Sequence, residues 1–82
     1  MNREYDSPEY KKFRQAVRKR DKNKCKMCGS RKKLNVHHIV KWSDAPLLRF
    51  DVSNGITLCS DCHKSIRGHE GIWAPYFTKL IQ

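Results

Sequence analysis

The sequence predicts a small α+β domain that cannot rest on its hydrophobic core alone. The chain has 82 residues, 38% of them hydrophobic, and a core of that size seldom supplies more than ~3–5 kcal/mol of net stability. Apolar residues recur at helical spacing towards both ends, while the middle carries two short runs rich in branched side chains. Two Cys-x-x-Cys pairs accompany those runs, and such pairs let a metal ion supply the missing cross-link. The length excludes a two-domain enzyme, a large closed barrel and a dinucleotide-binding sheet, so no nucleotide cofactor is expected. Mean hydropathy is −0.84, and no apolar run approaches the roughly 18 residues that span a bilayer, so no membrane partner is expected. The opening Met-Asn-Arg-Glu-Tyr-Asp is too polar for a secretory signal, which points to a reducing, cytoplasmic location. Paired cysteines there more often hold metal than form disulfides.

Residues 1 to 82 read as a single domain. Residues 1 to 7 have no pattern and are expected to be a loose arm. Ser7 can cap a helix, Pro8 suits a first turn and Glu9 favours the positive end of the dipole. Tyr10, Phe13, Ala16 and Val17 then follow helical spacing, predicting a helix over residues 8 to 21 whose apolar stripe is core. Cys25, Cys28 and Gly29 form a knuckle, followed by a basic turn at Arg31, Lys32 and Lys33. Residues 34 to 40 predict a strand. Residues 41 to 52 predict a loop pinned by Trp42, Leu47, Leu48 and Phe50. Asn54-Gly55 reads as a tight turn leading into a second strand at Ile56, Thr57 and Leu58, paired with the first. A short helix should begin near Ser60 and end at Gly68. A last helix, residues 75 to 82, can start at Pro75 and bury Tyr76, Phe77, Leu80 and Ile81.

Charge narrows the function classes. Eighteen Lys and Arg face eight Asp and Glu, a net +10, and between Lys11 and Lys33 Asp21 is the only acid. A field this one-sided suits a polyanion, and nucleic acid fits better than a membrane because no broad apolar face accompanies the charges. Lys11, Arg14, Arg18, Lys19, Arg20, Lys32 and Lys33 are the expected DNA contacts. A merely solvated charged face is the alternative.

The chemistry lies in the cysteines and histidines. Cys25, Cys28, Cys59 and Cys62 permit one tetrahedral zinc with four thiolates; a redox dithiol or a disulfide is the alternative. His63 follows Cys62 directly, and adjacent side chains on a helix diverge by ~100°, so His63 does not easily share that zinc. His37 and His38 lie on a strand, where neighbours point apart, leaving one for an ion and the other for separate work. Phosphodiester hydrolysis needs a water nucleophile, a base and a cation that stabilises developing charge. An imidazole with an unperturbed pKa of about 6.5 suits the base. Packed or exposed histidines without function are the alternative.

The order Cys25-x-x-Cys28, His37-His38-Ile39, then Asn54-Gly-Ile-Thr-Leu-Cys59-x-x-Cys62-His63 resembles the HNH endonucleases of the zinc-containing, bacteriophage type, over about residues 25 to 67. The resemblance implies a ββα-metal fold, here with a structural zinc and flanking N- and C-terminal helices. It implies His37 and His63 as ligands of one catalytic divalent ion, His38 as general base, and Asn54 as a structural support of the loop presenting His38. Phage relatives can work with a terminase, which makes that a candidate partner. Colicin-like members carry a further histidine one helical turn after the first helical ligand, where this chain has Arg67. Two protein ligands leave room for water and phosphate, favouring Mg²⁺ or Mn²⁺ over a tightly held catalytic Zn²⁺, with other divalent transition metals open. His69 is a weaker substitute because Gly68 should end the helix. Arg67 is expected to hold a phosphate oxygen, or else to be a plain surface charge. The expected activity is metal-dependent hydrolysis of double-stranded DNA, cutting or nicking with little sequence discrimination. The alternatives are a non-catalytic zinc-stabilised DNA-binding module and a zinc-stabilised protein-interaction domain.

Overall fold

A computed structural model describes residues 7–40, 47 and 49–82. Helix Pro8–Arg20 (α1) is followed by strand Leu34–His38 (β1), a 3₁₀ turn Val52–Asn54, strand Gly55–Cys59 (β2), helix Ser60–Ser65 (α2) and helix Glu70–Leu80 (α3). The strands pair antiparallel, with Leu34 opposite Cys59, His37 opposite Ile56 and His38 opposite Gly55. No helix among the described residues is long and apolar enough to cross a membrane.

All five residues of β2 are buried because helices cover both faces of the strand pair. On one face α1 brings Phe13 and Val17, both at most 2% exposed, against Gly55. A Cβ at Gly55 would lie 2.6 Å from Val17 Cγ2 and 2.8 Å from Phe13 Cζ, so only glycine admits the helix this closely. On the other face Ile56 and Leu58 join Ile39, Ile66 and Phe77, with Trp73, Ala74, Leu80 and Ile81 packed around them.

α1 begins as the sequence predicts, with Ser7 Oγ accepting from the Tyr10 N–H at 3.1 Å and Pro8 in the first turn. Its stripe is narrower than predicted, since Ala16 is exposed: Phe13 and Val17 bury against the strand pair, and half-buried Tyr10 lies beside His38. The helix is fastened at its far end by a contact the sequence reading missed. Asp21, 2% exposed, accepts two bonds from Arg20 at 2.8 Å and the Thr57 N–H at 2.9 Å. Arg20 also donates to the carbonyls of Val52 and Gly55, at 2.8 and 2.7 Å. A buried carboxylate is tolerated only when paired and hydrogen-bonded in this way.

Four further expectations are corrected. Asn54-Gly55 is not a tight turn: Gly55 is extended at φ −119° and opens β2, and the bend before it is the 3₁₀ turn, where Asp51 Oδ1 accepts from Ser53 N–H at 2.9 Å. α3 starts at Glu70, with Pro75 inside it. Burial of Trp73, Phe77, Leu80 and Ile81 along one side outweighs the single backbone bond that Pro75, itself exposed, forfeits. Tyr76 is 47% exposed rather than buried, and Leu47, one of the loop residues expected to pin residues 41 to 52, is 97% exposed. Trp42, Leu48 and residues 1 to 6 of the expected arm lie outside the described residues.

Candidate functional site

The first cysteine pair sits on a knuckle made by backbone geometry. The Gly29 N–H donates to the Cys25 carbonyl at 2.8 Å and the Lys26 N–H to the Thr57 carbonyl at 3.0 Å, and Gly29 takes a φ of +81° that favours glycine. This docks the knuckle against β2. The second pair starts α2, where Cys59 is the N-cap and its Sγ accepts from the Cys62 N–H at 3.4 Å. The ligand atoms of Cys25, Cys28, Cys59 and Cys62 all lie within 4.8 Å of one another, and no two are bridged. Cys28 Sγ and Cys59 Sγ are 3.6 Å apart, close to the ~3.8 Å edge of a tetrahedron with zinc–sulfur bonds of about 2.3 Å. Burial opposes ionisation of Cys25, but backbone hydrogen bonds from Cys59, Cys28 and Met27 outweigh it and bring the thiol down to about 7. The donor set fits a structural zinc.

The histidines gather at the opposite end of the strand pair. His37, 9% exposed, faces α2 and α3: its ring lies 5.4 Å from that of His63 and 5.7 Å from Phe77, centroid to centroid. His37 Nε2 is buried without a hydrogen-bond partner among the described residues. Burial and the neighbouring His63, partly offset by the Glu70 carboxylate, push His37 down to about 4, so the ring is neutral at pH 7 and offers a lone pair. A buried, unpartnered imidazole nitrogen beside a second imidazole is what a two-histidine metal site requires.

His38 points to the other face, as strand alternation demands. Its Nε2 lies 2.9 Å from the Arg49 carbonyl oxygen; that oxygen can only accept, so Nε2 carries the proton and the neutral ring has its lone pair on Nδ1. Burial lowers its pKa, the Arg49 carbonyl opposes that shift, and the Arg49 charge reinforces it. Asn54, 5% exposed, bridges both backbone groups of Val40: Oδ1 accepts the Val40 N–H at 2.8 Å and Nδ2 donates to the Val40 carbonyl at 3.2 Å. The Asn54 carbonyl accepts the Ile39 N–H at 2.8 Å. These bonds fix the chain immediately after the two histidines.

The HNH endonuclease family model matches residues 25–67, just over half of the 82 residues. The chain belongs to the HNH endonuclease family. No curated protein and no solved structure matches it. Its two antiparallel strands, helices and four-cysteine site are those of a ββα-metal HNH fold, and membership makes it a nuclease at the level of the family, with nucleic acid as the substrate class.

Around this HNH core the basic residues divide. Lys11, Arg14 and Lys19 are exposed on α1 and Arg18 is half-buried; Lys11, Arg14, Gln15 and Arg18 line a shallow cleft of about 240 Å³. Lys32 and Lys33, also exposed, line a groove beside the cysteines with Lys64. Arg20 does not belong with them, since its guanidinium is engaged by Asp21, Val52 and Gly55. Arg67 is exposed and lies one residue past Ile66, the C-cap of α2. The regular helical turn that would aim it alongside His63 has already ended there. His69 is the N-cap of α3 and also exposed. Sequence reasoning missed Arg49, which carries no motif, and Glu70, hidden because α3 was expected to start later.

Proposed function

We propose that this HNH protein is a metal-dependent DNA endonuclease that cuts or nicks double-stranded DNA with low sequence specificity. The observation that carries the reading is the buried, unpartnered Nε2 of His37 beside His63. His37 and His63 are the residues that would hold a divalent ion, Mg²⁺ or Mn²⁺. When bound, that ion supplies charge stabilisation on the phosphate and leaving oxygen. His38 holds Nε2–H on the Arg49 carbonyl and takes the proton of the attacking water at Nδ1. Asn54 keeps the segment after His38 from shifting through its two bonds to Val40. Lys11, Arg14, Arg18, Lys19, Lys32 and Lys33 attract the backbone, and Arg67 is a further phosphate contact. Few groups remain for reading bases, which supports low specificity.

Incubation of the zinc-loaded protein with supercoiled plasmid, with and without Mg²⁺ or Mn²⁺, tests the reading. Cleavage only with the divalent ion, and a loss of about 10²–10⁴-fold in His38→Ala with DNA affinity retained, is expected. Salt-dependent DNA binding without cleavage would replace the enzyme by a non-catalytic DNA-binding module.

A further inference from the structure

α1 lies outside the matched segment, yet two of its aromatic rings meet the ring assigned as general base. Phe13 is nearly parallel to His38, 17° between planes and 4.9 Å between centroids. Tyr10 is also nearly parallel to it, at 12° and 6.2 Å, and lies 6.1 Å from Phe13. The contact differs from that made by the other histidine: Phe77 meets His37 by its edge, at 72°, and so does not share its plane.

The hydrogen bond from His38 Nε2 to the Arg49 carbonyl positions one atom of the imidazole, and the stacked rings act on its plane. A flat aromatic face resists tilting, because a tilted imidazole would drive its edge into Phe13 or open a gap beneath it. The close approach is built in: Gly55 faces His38 across the strands, and any Cβ there would push Phe13 away. Arg14 adds a link to the substrate, its guanidinium carbon lying 5.7 Å from the Tyr10 ring centroid, so a cation of the proposed DNA face rests on the same stack.

We propose that Phe13 and Tyr10 are positioning residues for His38, which makes α1 part of the active centre as well as a basic face for DNA. The stack holds the imidazole plane so that Nδ1 keeps one direction. The inference rests on His38 being the base.

The test uses the full zinc-loaded chain with plasmid and Mn²⁺, comparing single-turnover cleavage at saturating protein with DNA affinity from anisotropy. Phe13→Leu keeps an apolar side chain but removes the flat face; it should cut roughly ten-fold more slowly while binding DNA as wild type does. Tyr10→Leu should also slow cleavage, and Tyr10→Phe, which keeps the ring, should restore it. In NMR spectra the His38 ring signals should shift in Phe13→Leu as the ring current is lost. A role confined to packing would leave Tyr10→Phe and Tyr10→Leu alike, which would overturn the proposal, as would wild-type single-turnover rates in a folded Phe13→Leu. If Phe13→Leu does not fold, the Tyr10 pair decides. His38→Ala in the same assay separates the two levels: if it is inactive while the ring variants are fully active, this inference alone fails. If wild type does not cut, or His38→Ala cuts equally well, the nuclease reading fails and the positioning role with it.

Discussion

At one end of the strand pair Leu34 faces Cys59, and four thiols stand within bonding reach of a single ion. At the other end His38 faces Gly55, and two imidazoles converge on one face while a third turns to the opposite face. The cysteine end offers four like donors, two of them buried, and so closes a tetrahedral shell with no position left for a substrate. The histidine end brings two imidazoles side by side, fewer donors than close a shell. Closed shells hold folds together and open ones do chemistry, so on the proposed reading the short ladder between them separates a staple from a reaction site. β2 links the two directly, carrying Gly55 at one end and Cys59 at the other.

The contrast breaks most sharply at the cysteine end. Cys59→Ser, or stripping zinc with a chelator, should unfold the domain, because a structural zinc of this type contributes on the order of 10–16 kcal/mol of apparent binding energy. Circular dichroism with elemental analysis checks it; a zinc-free protein with the wild-type melt would remove the staple from the account.

Gly55→Ala strikes the histidine end while leaving every thiol in place. The added Cβ meets Val17 and Phe13 at 2.6 and 2.8 Å, and overpacking of this kind costs about 1–3 kcal/mol. Chemical denaturation should show that loss with one zinc per chain retained.

His63→Ala should leave fold and zinc intact but weaken Mn²⁺ binding by about ten-fold or more, ~1.4 kcal/mol. Excess Mn²⁺ should recover part of the cleavage. Calorimetry giving an unchanged Mn²⁺ affinity would mean that His63 is not a ligand.

The smallest effect is in pH. His37 is pushed down to about 4 and His38 is lowered as well, both chiefly by burial, which disfavours the charged ring. Both rings therefore stay neutral to lower pH than a free imidazole, and the acidic limb of the cleavage profile should fall below the ordinary histidine value of about 6.5. A limb at or above that value would mean that the rings are solvated.

Much of the comparison is legible in the residues themselves. Ser7 and Pro8 announce α1, the branched runs announce the strand pair, and the Cys-x-x-Cys spacing announces the thiol cluster, because each signal is local and needs only a few neighbouring residues to act. Even the divergence of His37 from His38 follows from strand alternation. Less legible are the contacts between segments distant in sequence. Asp21 counts as a lone acid in a basic stretch until Thr57 and Arg20 are brought to it, and Arg20 counts as a DNA contact until Val52 and Gly55 take its donors. Pro75 reads as a helix start because its own constraint is local, whereas the burial that carries α3 back to Glu70 is not.

The sequence by itself determined which groups could bind metal, accept a proton or attract phosphate, since donor chemistry and spacing belong to the residues. Only the tertiary structure decided how distant groups meet: that Arg20 turns to Asp21, Val52 and Gly55, and that Phe13 lies flat on His38. Those choices depend on how closely α1 approaches the strands, which is set by the missing Cβ of Gly55 and by apolar burial across the sheet.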